Sequence, residues 1–214
     1  MHGRPTLQQM QRYGEQVSQM KQAIDILHDH VEATCGLFMD SLRGWEQLSK
    51  MLELLVDSQV KKGMTREQAL MSPLIHGVDH PTPENVRHVS TLGARLDACA
   101  PDGFNVRALS SLGIVSIFAH WEDKTRGEIA KALGIGLSAV RSPLFSDIRH
   151  MRNSLLHAGG RVDTSKPFEV LQWFKKGDVV VLNPDRFHEI LDRLRAFPDG
   201  LHTPGFDPFP GLRR

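Results

Sequence analysis

The longest regular pattern in the sequence is an apolar seam in its first third. Apolar residues recur there at alternating spacings of three and four, which is the period of one face of a helix. The seam consists of Val17, Met20, Ile24, Leu27, Val31, Cys35, Phe38, Leu42, Trp45, Leu48, Leu52 and Leu55. It predicts either one long helix or two helices that meet near Cys35 and Gly36, because glycine weakens a helix. Such a seam packs on its own domain as a bundle helix or, as a coiled-coil arm, on a second subunit.

Further helices are predicted downstream. Residues 82–84 have the order of a helix start, with a hydroxyl cap, a proline in the first turn and an early acid. We expect this helix to run to about residue 98. Another helix is predicted from about Val106 to Gly134, and one more begins at Ser142–Pro143 and stops at Gly159–Gly160.

The character of the sequence changes after Gly160. Residues 168–173 and 178–182 predict two short strands of a hairpin, and Pro184 opens a last amphipathic helix. The tail from Pro198 is rich in proline and glycine. We therefore predict an all-α fold with a helical bundle over residues 1–160. Residues 161–214 add a small C-terminal β-hairpin, a terminal helix and the tail, packed on the same domain.

Charge and composition limit the partners of the chain. Its 214 residues carry a net charge of +1, so any affinity for nucleic acid must come from a local cluster of basic side chains. No apolar run approaches the ~20 residues that span a bilayer, and the amino terminus lacks the apolar segment of a signal peptide. Cys35 and Cys99 stand alone, without metal-ligand spacing. These features predict a cytoplasmic protein without membrane contact.

The predicted helix after Ser142 carries the most specific chemistry in the chain. Its apolar stripe is formed by Leu144, Ile148, Met151 and Leu155. The opposite side carries Arg149, Asn153 and His157 at i, i+4 spacing, with His150 beside them. Polar side chains with the potential for proton transfer and anion binding are thus set into an otherwise regular core helix.

Arg152 projects from the edge of the apolar stripe of this helix. Because an arginine cannot lose its proton, it must find a carboxylate, backbone carbonyls or an anion. Arg152 and His157 also diverge by roughly 140° on one helix. We therefore predict that one copy of the chain does not easily aim both side chains at one phosphate, and that the site is assembled across a twofold axis in a homodimer.

Arg152, Asn153 and His157 resemble the R-N-x-x-x-H signature of HEPN domains, an all-helical family. The resemblance continues upstream, where residues 118–122 and Arg126 are similar to the aromatic-Trp-Glu helix that precedes the signature in many bacterial members. It covers residues 106–160. The remainder of the chain agrees with the family only in its helical pattern.

The resemblance implies a HEPN-like bundle that acts as a metal-independent endoribonuclease on single-stranded RNA. It implies that Arg152 and His157 are the catalytic pair and that Asn153 accompanies them. Many HEPN ribonucleases act as homodimers in toxin, antiviral and RNA-processing systems. The implied partners are therefore RNA, a second copy, and an antitoxin or another protein of a defence system. The alternative is a non-catalytic HEPN module that dimerises or binds a nucleotide or a partner protein.

The neighbours of the signature have candidate supporting roles. Glu122 would pair with Arg152 as a buried strut and so hold a phosphate clamp in place, with its i+4 neighbour Arg126 beside it. Arg149 and His150, on the polar side of the helix, would bind flanking phosphates.

No ligand spacing in the sequence predicts a metal site. His28 and His30 lie on nearly opposite sides of a helix, and His76 and His80 flank a loop without a second carboxylate. No nucleotide-binding loop is present either, so we expect neither a metal nor a cofactor. The nucleophile would then be the 2′-hydroxyl of the RNA itself.

His157 would move a proton to or from the reacting oxygens, because histidine titrates near neutral pH. A plainer interpretation is also open. A cation in the last turn of a helix interacts favourably with the free carbonyls at that end, so His157 could act only as a helix cap.

Overall fold

The computed structural model describes residues 6–76, 82 and 84–203, without the side chain of His76. Helices dominate these residues, and the sheet among them has two strands. The helices are α1 (Leu7–Lys61), α2 (Arg66–Leu70), α3 (Leu92–Cys99), α4 (Phe104–His120), α5 (Arg126–Leu133), α6 (Pro143–His157) and α7 (Pro184–Arg195). The strands are β1 (Pro73–His76) and β2 (His88–Thr91), and a 3₁₀ turn spans Leu137–Ala139. The predicted all-α class is confirmed, and the small sheet is formed by residues 73–76 and 88–91.

α1 is one continuous helix, so Gly36 does not break it. Leu27 and Val31 of the predicted seam are buried within this single chain, which favours the bundle helix over the coiled-coil arm. At the far end of the seam the prediction is wrong, because Leu55 is 43% exposed while Val56 is fully buried. An α-helix has more than 3.5 residues per turn, so a buried stripe drifts by ~20° in each heptad.

The chain divides into two compact units. The first contains the described residues of Met1–Gly36 and Ser111–Arg214, and the second contains Leu37–Ser110. Residues 161–203 and α6 thus belong to the same unit, and the R-N-x-x-x-H signature lies in it.

An aromatic cluster holds α6 in the first unit. The indole of Trp121 stacks on the ring of Phe145, with centroids 4.2 Å apart, and the ring of Phe197 packs edge-on against both at 5.5 Å. All three side chains are buried. Buried aromatic rings contribute large apolar areas, so this cluster anchors α6 to the helical run before it and to the segment after α7.

A single π-helical turn, Trp121–Thr125, joins α4 to α5 without a loop. The helix predicted from Val106 to Gly134 is thereby confirmed, although it begins at Phe104 and Gly134 ends it at a φ of 67°. In the π-helical turn the backbone N–H of Arg126 donates to the carbonyl of Trp121. π-helical turns are rare in proteins, but those that occur are often found at functional sites.

The second unit has a small core of its own. Its buried members are Leu52, Val56, Ala69 and Leu92. β1 and β2 pair antiparallel, with Pro73 opposite Thr91.

The helix predicted from residue 82 is wrong in its first half. Residues 88–91 form β2, and the helix begins only at Leu92. Its cap is Thr91, whose hydroxyl accepts a hydrogen bond from the backbone N–H of Ala94 at 3.1 Å. Pro83 lies outside the described residues, as does the segment 77–81. Pairing with β1 has taken residues 88–91 out of the predicted helix.

The predicted C-terminal hairpin is also wrong. Residues 168–182 contain no strand, and one isolated bridge joins Arg161 to Val179. The backbone N–H groups of residues 169–171 donate instead to the carboxylate of Asp147, at 2.7 to 2.9 Å. Because these groups bind a side chain, they are not available for a strand ladder.

The last predicted helix is confirmed as α7, with Pro184 in its first turn. Asn183 caps it by accepting a hydrogen bond from the backbone N–H of Arg186 at 3.0 Å. Residues 204–214 of the predicted tail lie outside the described residues. Within the described part of the chain, no helix is both long and apolar enough to cross a bilayer.

Candidate functional site

α6 presents the candidate catalytic side chains near its carboxyl end. Ser142 caps the helix by accepting a hydrogen bond from the backbone N–H of Phe145 at 3.4 Å, and Pro143 occupies its first turn. Gly159 and Gly160 follow the last turn with positive φ angles of 57° and 81°. Residues other than glycine rarely adopt a positive φ. The Gly-Gly pair can adopt it and so ends the helix directly after His157.

Arg152, Asn153 and His157 meet within one chain. Nη1 of Arg152 donates to Oδ1 of Asn153 at 3.0 Å and lies 3.4 Å from Nε2 of His157. Arg152 and Asn153 are half-buried, whereas His157 is exposed. The three residues of the signature therefore form one contiguous polar group, which we call the α6 triad.

The sequence argument that Arg152 and His157 of one copy diverge too far to be aimed easily at one phosphate loses its geometric basis, because the two side chains meet. The 140° divergence describes where the two side chains leave the helix, but an arginine side chain is long enough to reach back over the helix surface. Nη1 of the guanidinium thus reaches the imidazole. This removes the geometric reason for assembling the site from two subunits.

The contacts of Arg152 leave part of its guanidinium free. Nη1 carries two N–H groups, and Asn153 and His157 together account for both of them. Among the described residues, nothing is hydrogen-bonded to Nε or Nη2 of Arg152. These two nitrogens form one edge of the planar fork, which is the edge that binds phosphate oxygens in a bidentate manner.

The contact between Arg152 and His157 also bears on the imidazole. Arginine has donors only, so Nε2 of His157 can accept from it only when Nε2 carries no proton. The proton of a neutral His157 then resides on Nδ1 in this arrangement. The lone pair of Nε2 is then engaged by Arg152, so His157 accepts a proton from a hydroxyl when this 3.4 Å contact opens.

Glu122 does not hold Arg152 by an ion pair, and that prediction is wrong. Its carboxylate instead accepts two hydrogen bonds from Nη1 of Arg126, at 2.8 and 3.1 Å. Nε of Arg126 also donates to the carbonyl of Val140 at 3.1 Å. Glu122 and Arg126, predicted as i, i+4 neighbours in a supporting role, thus form a half-buried pair that ties the π-helical turn to the chain just before α6.

A cleft of about 280 Å³ lies between the π-helical turn and α6, and we call it the Arg152 cleft. It is lined on α6 by Arg149, Arg152 and Asn153, and on the other wall by Glu122 and Asp123. The walls of the cleft therefore carry both positively and negatively charged side chains.

The two residues predicted to bind flanking phosphates occupy different positions. Arg149 is exposed and lines the Arg152 cleft. The imidazole of His150 instead packs edge-on against the ring of Phe168, with centroids 5.8 Å apart. Arg149 is thus brought to the α6 triad, whereas His150 is not among the residues that line the cleft.

Asp147 is a structural anchor beside the candidate site, and the sequence did not single it out. Its side chain is fully buried, and its two oxygens accept three backbone hydrogen bonds from Glu169, Val170 and Leu171. A carboxylate at the edge of the apolar stripe, roughly 60° from Leu144 on the wheel, was the available signal. Asp147 fastens the segment after the motif onto α6.

A pair of histidines stacks beside the π-helical turn. The rings of His30 and His120 lie 4.6 Å apart at an interplanar angle of 14°. Nε2 of His30 lies 3.1 Å from the hydroxyl of Ser116, and Nδ1 of His120 lies 3.3 Å from that of Thr125. Burial lowers the pKa of His120, and the nearby charges of His30 and Lys124 lower it further.

The histidines whose spacing did not predict a metal site fall into two groups. His30 stacks on His120, whereas the side chain of His76 and all of His80 lie outside the described residues. Within the described residues, no three His, Cys, Asp or Glu side chains are grouped so that they could hold a metal ion.

Comparisons with protein-family models, curated proteins and solved structures find no match to this chain. The resemblance to HEPN domains therefore rests on residues 118–126 and on the α6 triad.

Proposed function

We propose that this protein is a metal-independent endoribonuclease of the HEPN type that cleaves single-stranded RNA. The observation that carries the proposal is the 3.4 Å contact between Nη1 of Arg152 and Nε2 of His157, with Asn153 bound to the same nitrogen. A proton acceptor and an anion-binding fork are thereby held side by side, which is what cleavage by a neighbouring 2′-hydroxyl requires.

In this mechanism Nε2 of His157 parts from Arg152 and accepts the proton of the 2′-hydroxyl as that oxygen attacks the adjacent phosphorus. The bond from phosphorus to the 5′-oxygen breaks, the leaving oxygen takes up a proton from water, and the imidazolium then returns its proton to the solvent. The products carry a 2′,3′-cyclic phosphate and a 5′-hydroxyl. Nε and Nη2 of Arg152 bind the non-bridging oxygens and stabilise the negative charge that grows on them.

Asn153 orients the guanidinium of Arg152, and Arg149 binds RNA. Asn153 accepts from Nη1 of Arg152 at 3.0 Å and so fixes the orientation of the guanidinium plane. Arg149 lies one turn earlier on α6 and lines the same cleft, where it would bind a neighbouring phosphate. Glu122 supports the site through Arg126, since it makes no ion pair with Arg152.

The proposal includes a cytoplasmic homodimer in a toxin or defence system, with an antitoxin or another protein of that system as partner. These elements come from the resemblance to HEPN domains. Because the α6 triad is complete within one chain, the second copy would shape the RNA-binding surface rather than supply a missing catalytic group.

One observation favours the alternative, a non-catalytic HEPN module that dimerises or binds a nucleotide or partner protein. Glu122 and Asp123 line the wall opposite Arg149 and Arg152. Carboxylates repel phosphate, so a cleft with both charge signs also suits a protein partner that presents charges of both signs.

The proposal is tested by incubating a single-stranded oligoribonucleotide with the protein in the presence of EDTA. The RNA should be cut, and the upstream product should carry a 2′,3′-cyclic phosphate. A matched oligonucleotide with 2′-deoxy sugars should remain intact. Equal cleavage of the deoxy strand, or complete loss of cleavage in EDTA, would contradict the mechanism.

A further inference from the structure

A larger cleft of about 590 Å³ lies beside the amino-terminal half of α6, and we call it the Arg141 cleft. It shares Phe118, Glu122 and Arg149 with the Arg152 cleft, so the two clefts adjoin along α6. Arg149 precedes His157 by eight residues, or about 12 Å along the helix axis. The Arg141 cleft therefore continues the candidate site in the direction away from His157.

The rim of the Arg141 cleft is basic. Arg141, Arg149 and Lys166 line it, and each is exposed. No carboxylate of the described residues forms an ion pair with any of these three cations. Arg126 also lines the cleft, but its charge is balanced by Glu122.

This local charge contrasts with the rest of the molecule. The whole chain carries a net charge of only +1. Apart from Glu122, which is paired with Arg126, the acidic residue that lines the cleft is Glu169. The lining also includes apolar side chains, among them the buried Trp121 and Phe145, together with the hydroxyls of Ser142 and Ser146. Exposed cations beside apolar and hydroxyl side chains suit a ligand that carries a phosphate and a weakly polar ring system.

The fold holds the guanidinium of Arg141 in place. Nε of Arg141 donates to the carbonyl of Ser138 at 3.0 Å, which leaves Nη1 and Nη2 for a ligand. The backbone of Arg141 also exchanges two hydrogen bonds with His202, at 2.7 and 3.1 Å. A fixed guanidinium loses less freedom on binding than a mobile one.

Lys166 is positioned through the segment that follows it. The backbone of Glu169 is bound to the buried carboxylate of Asp147 at 2.9 Å, three residues after Lys166. Asp147 itself lies on α6, between Arg141 and Arg149 in the chain. The same helix thus carries one rim cation and fastens the loop that carries another.

We propose that the Arg141 cleft is a second phosphate-binding subsite, which holds a nucleotide of the RNA strand next to the one being cut. This inference rests on the proposed function, because it assigns the strand a path from the α6 triad past Arg149 to Arg141 and Lys166. Arg149 is the cation common to both clefts and binds the phosphate between them. The cleft gives the nearly neutral chain the local basic surface that RNA binding requires.

Binding can be measured separately from cleavage in a His157→Ala background. The probe is a fluorescent single-stranded RNA of about ten nucleotides, long enough to cover both clefts. Arg141→Ala combined with Lys166→Ala should weaken its binding by about tenfold at ~0.1 M salt, where the Debye length is only ~10 Å. The slope of log affinity against log salt should fall by about 1.4, since each phosphate contact on a single strand contributes roughly 0.7.

Lys21→Ala combined with Lys131→Ala is the matched control. It also removes two exposed positive charges from the first unit, but neither residue lines either cleft. This control should bind the probe within about twofold of the parent, because distant surface charges are screened. Equal weakening in the control would show a general charge effect and overturn the subsite.

Two further ligands distinguish a nucleotide-binding cleft from a protein-binding surface. Adenosine monophosphate should bind weakly to the parent and still more weakly to the Arg141/Lys166 variant. A polyglutamate peptide of similar charge should not discriminate between the variants. If the peptide discriminates and the RNA does not, the cleft is a protein-binding surface and the nucleotide assignment is wrong.

The outcomes for the two proposals are separable. If wild-type protein cuts RNA but the Arg141/Lys166 variant in the His157→Ala background binds the probe like its parent, the subsite is refuted and the ribonuclease stands. If no RNA is cut but the probe binds and the Arg141/Lys166 variant loses it, the subsite stands and the ribonuclease fails.

Discussion

Nη1 of Arg152 lies 3.4 Å from Nε2 of His157 in the same chain, across five positions of α6. Asn153 accepts from that nitrogen as well, so both of its N–H groups are directed within the α6 triad. The guanidinium thus orients the imidazole through one nitrogen and keeps its other edge for a phosphate.

Arg152→Lys should reduce RNA cleavage by about 10²-fold although it keeps the positive charge, because an ammonium cannot contact His157, Asn153 and a phosphate in one plane. Single-turnover cleavage rates at saturating enzyme measure the effect. Arg193→Lys, at a residue paired with Glu189 on α7, is the matched control and should cleave at the wild-type rate. Wild-type activity in Arg152→Lys would show that only the charge matters.

Asp147→Asn should lower the free energy of unfolding by about 2–4 kcal/mol, since three backbone N–H groups lose a charged acceptor and an amide group meets them instead. Urea denaturation followed by circular dichroism measures the change. Asp163→Asn, at an exposed position of the same unit, should change it by less than about 0.5 kcal/mol. Equal stability of the two variants would contradict the role of Asp147.

Glu32→Gln should destabilise the first unit modestly at neutral pH and not in acid. Hydrogen bonds from Arg195 hold the pKa of Glu32 below its usual range. The contribution of this carboxylate to stability is therefore present above its unfolded pKa of about 4.3 and is lost as the pH falls through the lower folded value. Because the pair is exposed, the difference at neutral pH should stay below about 1 kcal/mol.

Melting temperatures of wild type and Glu32→Gln, measured from neutral pH to about pH 3, check this prediction. The two curves should converge at the acidic end. A constant difference across the whole range would mean that the charge of Glu32 contributes nothing and that the substitution acts through packing.

His120→Phe should reduce the loss of stability that accompanies mild acidification. The folded pKa of His120 is lowered by burial, and by His30 and Lys124, so the native state resists its protonation. Its favourable contribution is present above the unfolded pKa of about 6.5 and is lost as the pH falls through the folded value. Phenylalanine retains a ring to stack on His30 but cannot titrate.

The check is the difference in melting temperature between about pH 7.5 and pH 5, which should be smaller in His120→Phe than in wild type. His188→Phe on α7 serves as the comparison and should retain the wild-type difference. An unchanged difference in His120→Phe would exclude His120 as the group that titrates.

Several elements could be predicted because their signals are local. Ser142, Pro143 and the pair Gly159–Gly160 mark the bounds of α6 through capping and backbone conformation alone. Pro184 marks the start of α7 in the same way. Spacing and residue type alone likewise single out Arg152, Asn153 and His157 as candidate site residues.

The errors arise where a distant residue overrides a local signal. Residues 168–173 have strand-like composition, but the carboxylate of Asp147 binds the backbone N–H groups of residues 169–171. Residues 88–91 follow a good helix start but pair with β1. The contact of Arg152 with His157 depends on side-chain reach, which a helical wheel does not describe. None of these can be read from neighbouring residues alone.

The most direct test of the central claim compares wild type with His157→Ala in the cleavage of single-stranded RNA in EDTA. His188→Ala, on α7 and outside both clefts, controls for the loss of a histidine. We predict cleavage by wild type and His188→Ala, with 2′,3′-cyclic phosphate ends, and a rate at least about 10²-fold lower in His157→Ala. Full activity of a folded His157→Ala protein would contradict the account.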